Sequence, residues 1–385
     1  MSWTGKSAVE IATAVRNGEV SATSVVEEHL HAIAERDPRV GAFRLVRERA
    51  VDEARAVQKR RDLADLPLAG VPVAVKDNLE VAGEVTRGGS AATAGAPAAR
   101  DHETVARLRA AGAVVVGLTN LPELGLVAFG DSAFGTVRNP WNPARTAGGS
   151  SSGSAAAVAA GMVPIALGND GMGSLRIPAA CCGVYAIKPG TGLVPPPTND
   201  WRGLSENGPL AARVADLSLA LSVLAADPLL AESWRDGRRI EPSPRMLPSV
   251  WDDDDLDWES HEGVAREPSA VGGRGVAEPA TPDPFDLLEP RVMRSSPEPF
   301  DLRVAYTPQP LPAGLPMEGE FRAAVRGAAE TLRIAGHTVV EDDHRLPPWL
   351  GMSTIATWLA RAAEAAEGLD RSRLERRSRA LARAG

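Results

Sequence analysis

Cysteine is scarce in this chain, which holds two in 385 residues. Cys181 and Cys182 are neighbours inside an apolar run, and such a pair does not make the disulfide framework that staples small secreted domains. We interpret both as buried thiols in a reducing compartment, and we expect a cytoplasmic location.

Long apolar segments and an excess of positive charge are missing too. The first twenty residues contain no continuous apolar stretch of the signal-peptide kind, and no later run approaches the about 20 apolar residues of a membrane-crossing helix. Lysine and arginine number 42 against 50 acidic residues, a net charge of −8. We therefore expect no membrane and no nucleic-acid partner, but a small substrate, with a homodimer left open.

Motifs for metals and nucleotides are absent as well. The six histidines form no HExxH pattern, and adjacent cysteines are not a CxxC pair. The segment GMGSLR at 171–176 lacks the third glycine of a dinucleotide fingerprint, and GNDGMGS at 168–174 is not followed by Lys-Ser or Lys-Thr. The sequence predicts neither a metal site nor a cofactor.

The hydrophobic pattern that is present predicts an α/β fold. From Ser7 to about Val57 apolar residues recur at helical spacing, with Ser21 and Ser24 as candidate caps. Beyond them, short apolar runs are typical of strands buried on both faces of a parallel or mixed sheet. These runs are VPVAV at 71–75, AVVVG at 113–117 and VPIAL at 163–167, and a helix ending at Gly112 is predicted over 102–112.

The composition changes in the second half of the chain. A proline- and glycine-rich loop after Lys188 precedes a predicted helix over 214–227, and residues 228–300 are rich in proline and acidic residues, which predicts an irregular insertion. The remainder, 301–385, is expected to rejoin the domain begun by residues 1–227. Its predicted elements are a strand at 302–307, a helix at 320–336, a strand at 337–342 and helices from about 355 to 384.

Serine and glycine are concentrated in one stretch, from Arg145 to Lys188. The segments AGGSSSGSA at 147–155 and GNDGMGSLR at 168–176 flank a small-residue helix and an apolar strand. Both turns can therefore emerge at one edge of a sheet, which indicates a site.

One serine of this stretch, Ser151, lies in GSSSG and formally matches the GxSxG nucleophile elbow. That elbow follows an apolar strand directly, whereas VRNPWNPARTAG precedes it here, and two prolines exclude a central strand. We expect Ser151 to orient its neighbours instead.

Lys76 ends the apolar run VPVAVK, where an ammonium group is costly to bury. Two interpretations stay open from the residues alone: a structural ion pair with a nearby aspartate, or a lysine kept for chemistry.

The segments VPVAVKDNLEVAG and AGGSSSGSAAAVAAGMVPIALGNDGMGSLRIPAACCGVYAIKPG resemble the amidase signature family, in the family's order and over about residues 8–227. The resemblance implies one large α/β/α domain with a mixed central sheet and hydrolysis of carboxylic amides without a cofactor. It also implies a triad: Ser174 as nucleophile, Ser150 as bridging serine after a cis peptide bond, and Lys76 as base.

The chemistry of these residues agrees with that implication. A neutral amine can deprotonate a serine hydroxyl, which requires the pKa of Lys76 to fall by about 3 units through burial, or roughly 4 kcal/mol. Three backbone N–H groups, those of Gly171, Met172 and Gly173, can hold the oxyanion of the tetrahedral intermediate. We expect Asp170 and Arg176 to support that turn, together with Ser151.

Departures from the family pattern leave alternatives open. Ser152 stands where most members have glycine, and Met172 is expected to strain its turn if its φ is positive and to narrow the acyl pocket. The family's closing strands are not found before Gly385, so a catalytically impaired or partner-dependent homologue is one alternative. The glutaminase subunit of a tRNA-dependent amidotransferase is another.

Overall fold

The computed structural model describes residues 2–93, 95–226, 303–307, 319–341 and 348–385. The predicted irregular insertion at 228–300 lies outside the described residues. Tertiary contacts divide the chain into two compact units, Met1–Glu241 with Ile355–Gly385, and Pro242–Thr354. The organisation into one domain stays a prediction.

The first unit carries most of the described elements. In chain order they are α1 (Ala8–Arg16), α2 (Ala22–Val40), β1 (Phe43–Val46), α3 (Ala50–Gln58), β2 (Pro72–Lys76), α4 (Glu103–Ala110), β3 (Val114–Thr119), β4 (Asp131–Ser132), β5 (Gly135–Thr136), α5 (Ser152–Ala159), β6 (Ile165–Asp170), α6 (Arg176–Cys182), β7 (Tyr185–Ala186), β8 (Glu206–Ala211) and α7 (Val214–Ala225).

The second unit contains β9 (Arg303–Tyr306), α8 (Gly319–Ile334) and β10 (Thr338–Glu341), and its two strands pair in parallel. Helix α9 (Pro348–Ala365) begins there, while its part from Ile355 and helix α10 (Arg376–Ala384) belong to the first unit. The predicted strand, helix, strand order of 302–342 is confirmed.

The N-terminal segment is helical for local reasons. Ser7 and Glu10 form a capping box at the start of α1, and Ser21 caps α2 by accepting the N–H of Ser24. Gly41, with φ 70°, ends α2. The helical spacing from Ser7 to about Val57 did not predict β1, because four residues are too few to show a strand period beside longer helices.

A six-stranded mixed sheet forms the core of the first unit, in the order β1-β3-β2-β6-β8-β7. Strands β3, β2 and β6 are parallel, and the other pairings are antiparallel. The predicted α/β class with a mixed sheet is confirmed. Strand β8, sequence ENGPLA, was predicted as loop because glycine and proline interrupt it.

The sheet places the site. Strands β2 and β6 are parallel neighbours with every residue buried, and they end at Lys76 and Asp170. Their carboxyl ends therefore meet at one edge, the usual position of ligand sites in such sheets. Among the described residues no helix has the length and apolarity needed to span a membrane.

Candidate active site

Lys76 is the last residue of β2, and its side chain is fully buried. Its Nζ lies 2.8 Å from Ser150 Oγ and 2.8 Å from Asn169 Oδ1. Burial lowers the pKa of Lys76 to about 7, although the negative charge of Asp170 acts in the opposite direction. A large share of the amine is therefore unprotonated near neutral pH, as the predicted base requires.

Ser150 lies in the first serine-glycine turn, just before helix α5. The peptide bond between Gly149 and Ser150 is cis, as the resemblance implied. Its side chain is almost fully buried and reaches the mouth of a cavity that Ser174 also lines.

Ser174 lies in the second turn, after β6, and is half-buried. Its carbonyl oxygen accepts the N–H of Ser151 at 3.0 Å, which ties the two turns together. The structure thus brings Lys76, Ser150 and Ser174 from three separate segments to one place.

Asp170 organises the second turn. Its carboxylate accepts the N–H groups of Gly173 at 2.6 Å and Leu175 at 3.2 Å, and the guanidinium of Arg176 at 2.9 and 3.1 Å. Burial alone raises the pKa of Asp170, but these bonds from Arg176 and the backbone hold that pKa below its usual value. The predicted supporting pair is therefore present as a charged hydrogen-bonded unit, in which Asp170 is buried and Arg176 is exposed.

The structure departs from the predicted set of oxyanion donors at one position. The N–H of Gly173 is committed to Asp170, whereas Gly171 and Met172 line the cavity beside Ser174. The positive φ of the turn falls on Gly173, at 107°, and not on Met172, so the expected backbone strain at Met172 is not observed. Its half-exposed side chain stands beside Ser174 instead.

Ser151 is fully buried, and its hydroxyl donates to the carbonyl of Asn169 at 3.2 Å. The residues before it form a turn with a cis peptide bond between Gly149 and Ser150, and not a strand. Ser151 therefore has neither the exposure nor the strand-to-helix setting of an elbow nucleophile. Its neighbour Ser152 begins helix α5 and is buried as well.

Two asparagines were missed by the sequence reasoning. Asn169 Oδ1 accepts from Lys76, and its amide pairs with Asn78, whose Oδ1 accepts from Asn169 Nδ2 at 2.9 Å. The signal was available for Asn169, because alternation along β6 turns it to the face opposite Asp170. Asn78 lies two residues after Lys76 and could have been inferred from that spacing.

Two cavities open at Ser174. The first, of about 140 Å³, is lined by Asn78, Gly88, Leu124, Gly125, Ser150, Asn169, Gly171, Met172, Ser174, Pro197, Asn199, Trp201, Ser205 and Ala365. The second, of about 330 Å³, is lined by Gly125, Leu126, Val127, Ala128, Phe129, Gly149, Met172, Ser174, Ile177, Trp201 and Trp358. Nothing in the local sequence marked either tryptophan, because both approach the turns from distant segments.

Known proteins resemble this chain over more than half of its length, and some of them over nearly all of it. The amidase AmiB2 of Mycobacterium tuberculosis is 38% identical over 379 residues, which is 96% of this chain and 69% of that protein. One component of the glutamyl-tRNA(Gln) amidotransferase of Thermus thermophilus is 44% identical over 228 residues, 58% of this chain and 47% of that one. Among solved structures, 6-aminohexanoate cyclic dimer hydrolase in complex with its substrate superposes with a TM-score of 0.71 at 28% identity, covering 99% of this chain and 71% of that enzyme.

The model of the amidase family matches residues 24–236, a range that contains all three triad candidates and both serine-glycine turns. Together with the relative that is 38% identical over 96% of the chain, this match confirms the predicted family: the chain belongs to the amidase (amidase signature) family.

Proposed function

We propose that this protein hydrolyses a carboxylic amide to an acid and ammonia or an amine, through an acyl-enzyme on Ser174. The observation that carries the proposal is the buried Lys76 amine, with a pKa of about 7, hydrogen-bonded to Ser150 beside the cavity that holds Ser174. The structure offers this amine no carboxylate in hydrogen-bonding contact among the described residues, so the ion-pair interpretation of Lys76 has less support.

In the proposed first step, neutral Lys76 takes the proton of Ser150 Oγ as Ser150 takes the proton of Ser174 Oγ. A hydroxyl can donate and accept at once, which suits Ser150 to this relay. The freed oxygen of Ser174 attacks the amide carbon, and the carbonyl oxygen becomes an oxyanion. The N–H groups of Gly171 and Met172 are the donors for that charge, each worth about 3 kcal/mol in comparable sites.

The intermediate then collapses and breaks the C–N bond. Protonated Lys76 returns its proton through Ser150 to the leaving nitrogen, which departs as ammonia or an amine. The same relay deprotonates a water molecule that attacks the acyl-enzyme, and the acid leaves with Ser174 restored.

The direct test is covalent labelling of the nucleophile with a fluorophosphonate probe, read by mass spectrometry, alongside amide turnover. We expect Ser174→Ala to abolish labelling and Lys76→Ala to slow both labelling and turnover by about 10³-fold or more. Ser24→Ala, which removes an exposed hydroxyl on helix α2, is the matched control and should label like the wild type. Undiminished labelling of Ser174→Ala would reject the proposal.

A further inference from the structure

The larger cavity at Ser174 has walls of one chemical kind. Its described side chains are aliphatic, aromatic or, at Met172, a thioether, apart from the hydroxyl of Ser174 itself, and Phe129, Ile177 and Trp358 are among them. None of the lining residues that the structure describes carries a charge. The guanidinium of Arg377 does stack on the Phe129 ring, 4.9 Å from its centroid, but it is paired with Glu375 at 2.7 Å.

The smaller cavity is different in size and in lining. Its volume of about 140 Å³ is close to the roughly 150 Å³ that holds one benzene molecule in an engineered protein cavity. Asn78, Asn169 and Ser205 are among its lining residues. A carboxamide with a small substituent fits this space, and its polar groups find hydrogen-bond partners there.

Four residues line both cavities: Gly125, Met172, Ser174 and Trp201. The nucleophile therefore stands at the junction, so that a substrate whose reacting carbon lies at Ser174 Oγ extends one substituent into each cavity. An ionic group in the larger cavity would lose its hydration and find no charged partner among the described lining residues, which costs far more than burying a hydrocarbon.

We propose that the substrate is an uncharged amide with a bulky apolar substituent, aryl or branched alkyl, that fills the cavity of Phe129, Ile177 and Trp358, while its carboxamide faces the smaller polar cavity. This inference rests on the proposed amide hydrolysis. It assigns the larger cavity as the subsite that selects the substrate, and it disfavours amides with a charged tail, such as glutamine.

A matched pair of amides tests the assignment. 4-Phenylbutanamide and glutaramate share a chain length and a primary carboxamide, but one ends in a phenyl ring and the other in a carboxylate. We expect kcat/KM to favour the phenyl compound by about 100-fold or more, within the range by which an apolar pocket discriminates. L-Glutamine should be as poor as glutaramate or poorer.

Ile177→Arg places a cation at the half-exposed rim of the larger cavity. It should lower the phenyl-to-carboxylate ratio by about tenfold or more, since a charge pair replaces an apolar contact. Val214→Arg is the matched control, because Val214 is an exposed aliphatic residue at the start of helix α7, and it should keep the wild-type ratio. Phe129→Ser removes an aromatic side chain from the lining of this cavity, so it should lower the phenyl-to-carboxylate ratio without adding a charge.

The outcomes separate the two proposals. An enzyme that a fluorophosphonate labels at Ser174 but that uses glutaramate or glutamine as well as 4-phenylbutanamide overturns only the subsite, as does a wild-type ratio in Ile177→Arg. A protein whose Ser174 is not labelled overturns the proposed function, and the subsite with it.

Discussion

At the scale of single residues, the hydrogen bonds of Lys76 determine which neighbouring group can pass a proton to its amine. An amide oxygen only accepts hydrogen bonds, so Lys76 Nζ donates to Asn169 Oδ1. Asn169 and Asn78 also pair reciprocally through their amides. A neutral amine that uses one N–H on Asn169 can turn its lone pair toward Ser150, so we propose Asn169 as a positioning residue for the proposed base.

The pH dependence of activity follows from the buried amine. Only neutral Lys76 accepts a proton, and burial lowers its pKa from 10.5 to about 7. We expect kcat/KM to rise with pH up to this value and to level off above it, because acid protonates the base. A steady-state profile of kcat/KM between pH 5 and 9, about two pH units to either side of that pKa, measures this dependence. A rise that continues toward the ordinary lysine pKa would contradict the burial argument.

Asn169→Asp places a carboxylate against Lys76 and should move the rise of kcat/KM, the limb of the pH profile, to higher pH. An opposite charge at hydrogen-bonding distance favours the ammonium form by about 1 to 3 pKa units, so activity at pH 7 should fall while much of it returns at alkaline pH. A purely structural role for Asn169 would lower activity at every pH alike. Asn142→Asp adds the same charge at an exposed position and should leave the profile unchanged.

At the scale of elements, two facing glycines leave room for the turn that carries Ser174 to pack against the sheet. Gly168 of β6 and Gly208 of β8 are cross-strand partners. Buried Leu175 packs over both, since a Cβ built at either position would lie 2.9 or 2.7 Å from its methyl groups. Leu175, the residue after Ser174, therefore packs against the sheet where two strands have no side chains.

Gly168→Ala should therefore destabilise the fold and slow catalysis together. The new methyl would also lie 2.6 Å from Ser151 Oγ, and overpacking of this kind costs about 1 to 3 kcal/mol of the free energy of unfolding. Urea denaturation and amide turnover measure the two effects. In Gly327→Ala the methyl meets nothing within 4 Å on an exposed face of α8, so stability should stay or rise by about 0.5 to 1 kcal/mol. Equal effects in both variants would refute the packing argument.

At the scale of the whole molecule, the C-terminal segment of the first unit completes the cavity wall. Trp358 Nε1 donates to the carbonyl of Leu126 at 2.8 Å. Glu123, which is buried, accepts the N–H of Glu375 at 2.7 Å and the hydroxyl of Ser90 at 2.7 Å. The segment 123–129, most of which lines the larger cavity, is thus hydrogen-bonded to residues that are far apart in the chain.

Glu123→Ala should loosen this wall without touching the triad. It leaves the buried hydroxyl of Ser90 and the part-buried N–H of Glu375 without their acceptor, at a cost of about 1 to 3 kcal/mol in the free energy of unfolding. We expect a higher KM for apolar amides with an unchanged pH limb. Glu27→Ala, on the exposed face of α2, should change stability by less than about 0.5 kcal/mol. A shifted pH limb in Glu123→Ala would show that the wall also sets the state of Lys76.

The accuracy of the sequence reasoning depended on whether the signal was local. The strands at 71–75, 113–117 and 163–167 were found because strands buried on both faces are continuous apolar runs. Helix α4 ended at the predicted place, since Gly112 adopts a φ of 93° that few other residues tolerate. Strand β8 was missed because the reason for the glycine inside it is not local. A Cβ at Gly208 would lie 2.2 Å from the carbonyl oxygen of Ile187, so a contact with a distant segment requires glycine there.

By itself the sequence determined the family, the α/β class and the residue types of the candidate triad, because these rest on local motifs and on short apolar runs. Tertiary structure alone decided three further features: the hydrogen bond from Lys76 to Asn169, the commitment of the Gly173 N–H to Asp170, and the wall that Trp358 builds beside Ser174. Each depends on where the chain returns in space, and no pattern of neighbouring residues encodes that position. The pKa of Lys76 belongs to the same group, since it follows from burial and not from the residue type.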